Sequence, residues 1–338
     1  MTERVFITGA GLVSGLGSGL QPVLAALREG RSAVRVEDSS LEEVQHSPQA
    51  RRIARASLFA LAAARQALHS GRCELDPRQV HDDFGVVCAS THLATSYGFR
   101  FHEGFLAEGK PMPGPIHFTN GCFNSMGTHI SLEYRLTGCN HTLVGGMNIG
   151  LHALLFSFRL LRQGSCTTVL CCASEELTDI LAGVYRKFRL SPPLAMSEGG
   201  AALLLEKESR ARARRAPILA EVLGGRSTRG PDIRRDVEGR ALALAIEAAS
   251  RHGPPGRYAS CANGSDLDDV ERSARHSVLP REIPSTAVKN ALEEGFAFTS
   301  LAQAVWLSHE IAQTSLMGIA ASLDRRGDAT ALALRGMR

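Results

Sequence analysis

One segment restricts the fold of this chain more than any other. A strand ends at Gly145-Gly146, and a helix that is apolar on almost every face follows it and ends before Gly164. The apolar positions of that helix are Leu151, Leu154, Leu155, Phe156, Phe158 and Leu160. Because no side of such a helix suits water, it must lie in the middle of a large core. We therefore expect a fold in which helices are packed between other layers.

Met147 occupies the turn between that strand and that helix. A helix N-terminus gathers unpaired N–H groups and the positive end of the helix dipole, so proteins place nucleophiles and anions there. A thioether can neither ionise nor attack. Taken alone, Met147 is most simply interpreted as a core-filling side chain, an interpretation compatible with any function of the whole chain.

The rest of the chain alternates buried strands with helices. A first series has strands at 4–11, 83–90, 167–174 and 197–206, helices at 21–29, 51–70 and up to about 136, a proline-rich loop at 111–118 and an acidic turn at 175–176. A second series has strands at 218–223, 258–262, 285–288 and 330–334 and helices at 239–251, 268–275 and 301–324. Such alternation is typical of α/β layers with mostly parallel strands. The two series predict two pseudo-equivalent halves, residues 1–210 and 216–338.

Composition argues against several kinds of partner. The net charge is only +4, and the arginines of residues 210–215 alternate with alanine, as on a solvated helix face. Few aromatic residues accompany these charges, so nucleic acid is not an expected partner. No apolar run is long enough to span a membrane, and the chain enters its first strand without a signal-peptide pattern. These features predict a cytoplasmic protein.

No cofactor or metal is expected. The turn Gly9-x-Gly11 lacks the third glycine of a dinucleotide-binding fingerprint, because Ser14 stands at that position. The eight cysteines show no Cys-x-x-Cys spacing, so neither a metal site nor a disulfide framework is predicted.

Over nearly its whole length the sequence resembles the β-ketoacyl synthase family. The segments that carry the resemblance are Val5–Ser14 with Leu16-Gly17, Gly138–Gly164, and Ser197–Ala201 with Leu205-Glu206. The resemblance implies a thiolase-like α/β fold with α-β-α-β-α layers. The two halves expected from the strand pattern agree with that fold.

The resemblance also places the catalytic positions of the family on residues of different chemistry. The nucleophilic cysteine corresponds to Met147, the first histidine to Asn263 and the second to Glu294, whereas the lysine of the family is kept as Lys289. Condensation needs a thiolate that carries the acyl chain and two donors that stabilise the enolate. This chain supplies no thiolate there, and a carboxylate would repel the enolate. Independent condensing activity is therefore not expected.

Two details of this region stay open at the level of sequence. A shift of one residue would place Glu293 or Gly295 at the position of the second histidine. Lys289 is expected to pair with either Glu294 or Glu293, in a structural role.

A synthase fold without its catalytic residues resembles the chain-length factors of type II polyketide and aryl-polyene systems. The resemblance implies a heterodimer with a catalytically competent ketosynthase, in which this chain helps to shape the tunnel for the growing acyl chain. It implies only indirect contact with the acyl carrier protein. It also places four residues near the interface and the tunnel: Phe123, Asn124, Ser125 and Met126.

Two other functions remain compatible with the sequence. The chain could be an acyltransferase or thioester hydrolase that uses another nucleophile, for which Cys122 and Cys261 are the candidates. It could also be a homodimeric scaffold that binds acyl carrier domains.

Overall fold

The computed structural model describes residues 3–45, 53–108, 114–187 and 194–338. Its strands are β1 (Val5–Ser14), β2 (Gly17–Ser18), β3 (Phe84–Ser90), β4 (Asn140–Val144), β5 (Thr168–Glu175), β6 (Gly199–Lys207), β7 (Ala220–Arg229), β8 (Arg257–Ser260), β9 (Ser285–Ala287), β10 (Met317–Leu323) and β11 (Asp328–Gly336). Within the described ranges these strands form one sheet. The sheet therefore joins elements from both ends of the chain.

The strand order repeats itself in the two halves of the sheet. It runs β4-β3-β5-β6-β1 and continues as β7-β11-β10-β8-β9, with β2 paired to β1. Outward from the contact between β1 and β7, the first half runs β1-β6-β5-β3-β4 and the second half runs β7-β11-β10-β8-β9. With β2 left aside, the first and last strands of each half are therefore innermost, and its third strand lies at the edge. Each half also contains two parallel pairs next to antiparallel ones. The chain is thus built from two pseudo-equivalent halves, as expected, while the proposed boundary within 211–215 remains a prediction.

Helices cover both faces of each half of the sheet. They are α1 (Gln21–Glu29), α2 (Glu42–Gln45), α3 (Arg55–Ser70), α4 (Thr95–Glu108), α5 (Pro115–Gly121), α6 (Ser125–Tyr134), α7 (Ile149–Gln163), α8 (Asp179–Lys187), α9 (Glu208–Ala213), α10 (Arg240–Ser250), α11 (Leu267–Val278), α12 (Lys289–Leu292) and α13 (Ala297–Glu310). Helices α3 and α6 pack against the first half of the sheet, and α10 against the second half and α11. Helices α7 and α13 contact each other and strands of both halves.

The central helices give the fold its layers. One apolar cluster joins α7 and α13 to strands of both halves, and two further clusters lie under α3 and α10. The order of layers is therefore α-β-α-β-α, as the resemblance implies. Helix α7 is buried over most of its surface, which confirms the expectation from its apolar sequence.

A glycine permits the close approach of the two central helices. A Cβ atom at Gly150 would overlap the carbonyl oxygen of Ala297 and crowd the hydroxyl of Ser300. Helix α7 can therefore approach the first turn of α13 only if residue 150 has no side chain.

Several expectations about single elements are wrong. The apolar run 301–324 is not one helix, because α13 ends at Glu310 and β10 begins at Met317. Residues 115–118 of the expected proline-rich loop belong to helix α5, and residues 111–113 lie outside the described ranges. The helix expected from residue 51 begins at Arg55, and residues 51 and 52 are not described.

The acidic pair after the third buried strand also differs from expectation. Glu175 is the last residue of β5 rather than part of an acidic turn, and both Glu175 and Glu176 are buried. Buried carboxylates require hydrogen-bond donors, and those donors form part of the candidate site described below.

Two searches cover only the part of the chain that the structure describes. No helix there is long and apolar enough to cross a lipid bilayer. No group of three His, Cys, Asp or Glu side chains there is arranged to hold a metal ion.

We predict that Gly150→Ala destabilises the fold. A methyl group there must push α7 away from α13, and overpacking of this kind costs about 2 kcal/mol of unfolding free energy. Gly98→Ala is the matched control, since Gly98 is also helical but has open space around its Cβ position. That variant should be neutral or up to about 1 kcal/mol more stable. Urea unfolding measures both, and equal stabilities would contradict the packing of the central helices.

Candidate functional site

The turn that carries Met147 is held from the opposite half of the molecule. The backbone N–H of Met147 donates to Oδ2 of Asp324 at 3.0 Å, and Ser322 Oγ donates to the Met147 carbonyl at 3.4 Å. Gly146 lies so close to the Asp324 carboxylate that a Cβ atom there would overlap it. The Met147 side chain is 4% exposed and belongs to the apolar cluster that contains Phe296. The methionine is thus buried just before the N-terminus of α7, where the sequence placed it.

Three of the four positions singled out in the sequence meet in one hydrogen-bonded group. Lys289 Nζ donates to Oε2 of Glu294 at 2.6 Å, and Asn263 Nδ2 donates to the same oxygen at 2.6 Å. The side chains of Lys289 and Glu294 are 1% and 0% exposed. Of the two glutamates considered as partners of Lys289, the structure selects Glu294.

The other oxygen of Glu294 is also fully used. Its Oε1 accepts hydrogen bonds from the Phe296 backbone N–H at 2.7 Å and from Thr299 Oγ1 at 3.4 Å. Asn263 Oδ1 in turn accepts from the hydroxyl of Ser265 at 2.6 Å. Each polar side chain of the group therefore already has a partner within the protein, and one N–H of Asn263 Nδ2 is held by Glu294 rather than directed at a ligand.

Met147 and Phe296 line a common cavity of about 640 Å³. The other lining residues come from the ends of β3, β4 and α8 and from loops of the second half: Thr91, Gly145, Gly146, Tyr185, Asp232, Ile233, Arg234, Asp266, Asp324, Arg325 and Arg326. The cavity is thus apolar at the methionine and charged at its rim. A cavity of this size can admit a small organic ligand.

Sequence reasoning missed a second polar group beside this cavity. The carboxylate of Glu175 accepts from the backbone N–H groups of Thr91 and His92 and from Ser90 Oγ, and His92 Nδ1 lies 3.3 Å from its Oε2. His92 Nε2 lies 3.0 Å from the hydroxyl of Tyr185. Ser90 and Glu175 end the neighbouring parallel strands β3 and β5, and polar residues at such strand ends are the sequence signal that could have revealed this group.

Phe296 packs against both rings of that group. The His92 ring meets Phe296 edge-on with centroids 4.4 Å apart, and the Tyr185 ring lies 5.2 Å from it. Phe296 has a φ angle of 49°, a left-handed conformation that bulky residues rarely adopt. Strain of this kind persists only where surrounding contacts impose it, and here its result is an aromatic wall shared by the cavity and the second polar group.

The four residues expected at an interface divide into two pairs. Phe123 is 66% exposed and Asn124 is also exposed. Ser125 is buried, with its hydroxyl donating to the Asn120 carbonyl, and Met126 is buried in the cluster under α3. The surface role of the segment stays a prediction, and in this conformation only Phe123 and Asn124 are placed to reach a partner.

The two candidate nucleophilic cysteines are not placed in the cavity. Cys261 is 1% exposed, and burial together with the nearby Glu271 raises the pKa of its thiol well above the usual value. Cys122 caps helix α5 and does not line the cavity. A raised thiol pKa disfavours the reactive thiolate, so Cys261 is a poor nucleophile.

Comparison with known proteins assigns the family. A model of the β-ketoacyl synthase N-terminal domain matches residues 38–211, just over half of the chain. The 3-oxoacyl-[acyl-carrier-protein] synthase 1 of Haemophilus influenzae is 25% identical over 274 residues, which cover 68% of this chain and 66% of that protein. The chain therefore spans just under two thirds of the length of this relative. The chain belongs to the β-ketoacyl synthase family.

Solved structures agree with the fold. A chain of the ishigamide ketosynthase/chain length factor superposes with a TM-score of 0.85 at 21% identity and full coverage of both chains. A chain from the complex of a type II polyketide synthase acyl carrier protein with its ketosynthase gives a TM-score of 0.85 at 19% identity, again with full coverage. The thiolase-like layered fold is thus confirmed.

We predict that Glu294→Gln destabilises the protein by about 3 kcal/mol or more. The change leaves the buried Lys289 ammonium without a counter-charge, and breaking one partner of a buried pair has this order of cost. The matched control is Glu293→Gln, because Glu293 is partly exposed and has no ion pair among the described residues; it should change stability by less than about 0.5 kcal/mol. Chemical denaturation compares the two.

The double variant Lys289→Met with Glu294→Gln adds a second test of the pair. It should be more stable than the sum of the two single changes predicts, because no buried charge is then left alone. Strict additivity would contradict the pairing of Lys289 with Glu294.

Proposed function

We propose that this chain is a non-catalytic partner of a β-ketoacyl synthase, with which it forms a heterodimer. In that complex it helps to shape the tunnel for a growing chain in type II polyketide, polyene or fatty-acid-like elongation. The observation that carries the proposal is the closed group of Asn263, Lys289 and Glu294 beside a buried Met147.

That group is unsuited to condensation for a physical reason. The reaction forms a negative charge on the thioester oxygen, and donors must be free to stabilise it. Here Lys289 and one Asn263 N–H donate to Glu294 instead, and Glu294 itself would add a negative charge. A methionine at 147 cannot hold the acyl chain. The residues support a structural role better than a catalytic one.

An exposed apolar surface supports the presence of a partner. We call it the α4–β4 surface; it follows the chain from α4 through α5 and α6 to β4, elements that contact one another in turn. Its exposed apolar residues are Phe99, Phe105, Leu106, Ile116, Phe118, Phe123, Leu132 and Val144. Large apolar patches of this kind mark sites of protein association.

Strand β4 contributes an edge of the sheet to this surface. Among the described strands it pairs only with β3, so its other edge is open. Open edges with apolar side chains are suited to pairing with a second chain. Phe123 and Asn124 belong to the same surface, and the resemblance implies that they lie near the interface.

The relatives are compatible with this role. One structural neighbour is named as a ketosynthase/chain length factor and another contains an acyl carrier protein with its ketosynthase. We extend both associations to this chain, with the ketosynthase as direct partner and the carrier protein as an indirect one. A cytoplasmic location is part of the same proposal.

The direct test is co-expression with a ketosynthase encoded nearby, followed by affinity purification and native mass measurement. A one-to-one complex that condenses malonyl units only when both chains are present is expected. Peptide mapping after incubation with an acyl donor should show the acyl group of the condensing step on the ketosynthase and none at Met147 of this chain. A homodimer that binds carrier protein but no ketosynthase would replace the proposal with the scaffold function.

We predict that Val144→Asp weakens the heterodimer at least tenfold. The change places a charge at the open edge of β4, where a partner strand would have to bury it. Val237→Asp is the matched control, because Val237 is 63% exposed in a loop outside the α4–β4 surface. Dissociation constants from biolayer interferometry compare the variants. Equal binding by both would exclude the open edge from the interface.

A further inference from the structure

Glu175, His92 and Tyr185 are aligned as a carboxylate, an imidazole and a hydroxyl. The contacts are 3.3 Å from Glu175 to Nδ1 and 3.0 Å from Nε2 to the hydroxyl of Tyr185. This is the arrangement in which a base takes the proton of a nucleophile while a third group orients the base. None of the three belongs to the group around Glu294.

The hydrogen bonds select one tautomer of the neutral histidine. Oε2 of Glu175 accepts from the His92 backbone N–H at 3.1 Å and from Ser90 Oγ at 3.2 Å, so this oxygen is an acceptor. Nδ1 of His92, facing it, must therefore carry a hydrogen. In the neutral ring Nε2 then has a free lone pair, and it accepts the hydroxyl hydrogen of Tyr185. His92 is thus oriented as a base for the phenol.

Tyr185 reaches the space where a ligand would lie. It lines the cavity together with Met147 and Phe296, and His92 lies behind it with a side chain only 13% exposed. Burial, then the carboxylates of Glu175, Asp324 and Glu294, raise the pKa of Tyr185. The phenol therefore stays protonated at rest and can lose its proton only as a new bond forms, as a serine does in comparable sites.

Arg326 gives the cavity a cationic rim. It lines the cavity and is exposed, and no carboxylate among the described residues forms an ion pair with its guanidinium. It also lies near enough to Tyr185 to favour the ionised phenol. A ligand with a carbonyl group and an anionic group several bonds away matches this pair, and an acyl thioester of phosphopantetheine has both.

We propose that Tyr185, His92 and Glu175 hydrolyse acyl thioesters that enter the cavity beside Met147. The choice of a thioester rests on the proposed function, whereas the arrangement of the three residues does not. The site would release acyl chains from the carrier rather than extend them, so the chain would be non-catalytic with respect to condensation only.

The reaction has two balanced steps. Tyr185 Oη attacks the thioester carbonyl carbon while its proton passes to His92 Nε2; the carbon–sulfur bond then breaks, and the thiol leaves with that proton. Water next attacks the tyrosyl ester, gives its proton to His92, and the phenol leaves and recovers the proton. The sum is thioester and water to carboxylic acid and thiol. Glu175 is a positioning residue that stabilises the imidazolium formed in both steps.

The test uses the purified full chain with acetyl- and hexanoyl-phosphopantetheine, and mass spectrometry measures the acid formed. Hydrolysis above the uncatalysed rate is expected, and Tyr185→Phe and His92→Gln should each lower it about 100-fold or more. Tyr97→Phe is the matched control: Tyr97 also stands beside a histidine ring, that of His117, but does not line the cavity. It should keep full activity.

Labelling provides a readout that does not depend on turnover. Phenylmethylsulfonyl fluoride should sulfonylate Tyr185, with loss of fluoride, and His92→Gln should suppress the labelling while Tyr97 stays unmodified. The proposal is overturned if the wild-type chain does not hydrolyse either thioester, or if Tyr185→Phe matches wild type.

The two proposals can fail separately. Tyr185→Phe leaves the α4–β4 surface unchanged, so binding of a ketosynthase by this variant reports on the heterodimer alone. A folded variant that binds its partner but has lost hydrolysis supports both proposals. Hydrolysis by a chain that binds no ketosynthase would keep the second and remove the first.

Discussion

The contact between helices α7 and α13 is the constraint on which the rest of the structure depends. Both helices lie between the two halves of the sheet, and Gly150 lets their backbones approach where any side chain would clash with Ala297. This contact fixes the start of α7 and therefore the position of Met147. It also fixes the start of α13, which follows Glu294 and Phe296 directly. One packing contact thus sets the distance between the two parts of the site.

Two hydrogen-bonded polar groups lie beside these helices, and they differ in whether they border the cavity. The group at Glu294 is closed, because Lys289, Asn263, Thr299 and the Phe296 N–H satisfy its carboxylate. The group at His92 ends in a hydroxyl that faces a cavity. Phe296 separates and supports both. The cavity is therefore lined by an inert thioether at Met147 and by a hydrogen-bonded phenol at Tyr185.

Sequence reasoning located the elements with strong patterns and failed where patterns are ambiguous. The apolar helix α7 and the buried strands β3, β5 and β6 lie close to their predicted positions. Strand β10 was missed because Met317–Leu323 is rich in alanine and follows an apolar helix without a proline or glycine break; the turn there uses Gln313 at a φ of 57°. Tyr185 could not be foreseen, since only tertiary packing brings α8 to the ends of β3 and β5. The meeting of Asn263, Lys289 and Glu294 was accessible only through family resemblance.

The closed group at Glu294 also limits how this chain can change over evolutionary time. Replacing Glu294 alone by histidine would leave the buried Lys289 ammonium without a counter-charge, at a large cost in folding free energy. A change at Asn263 alone would remove a donor from a buried carboxylate. A single change at 263 or 294 therefore lowers stability, so the packing of the interior favours keeping Asn263, Lys289 and Glu294 together as a set.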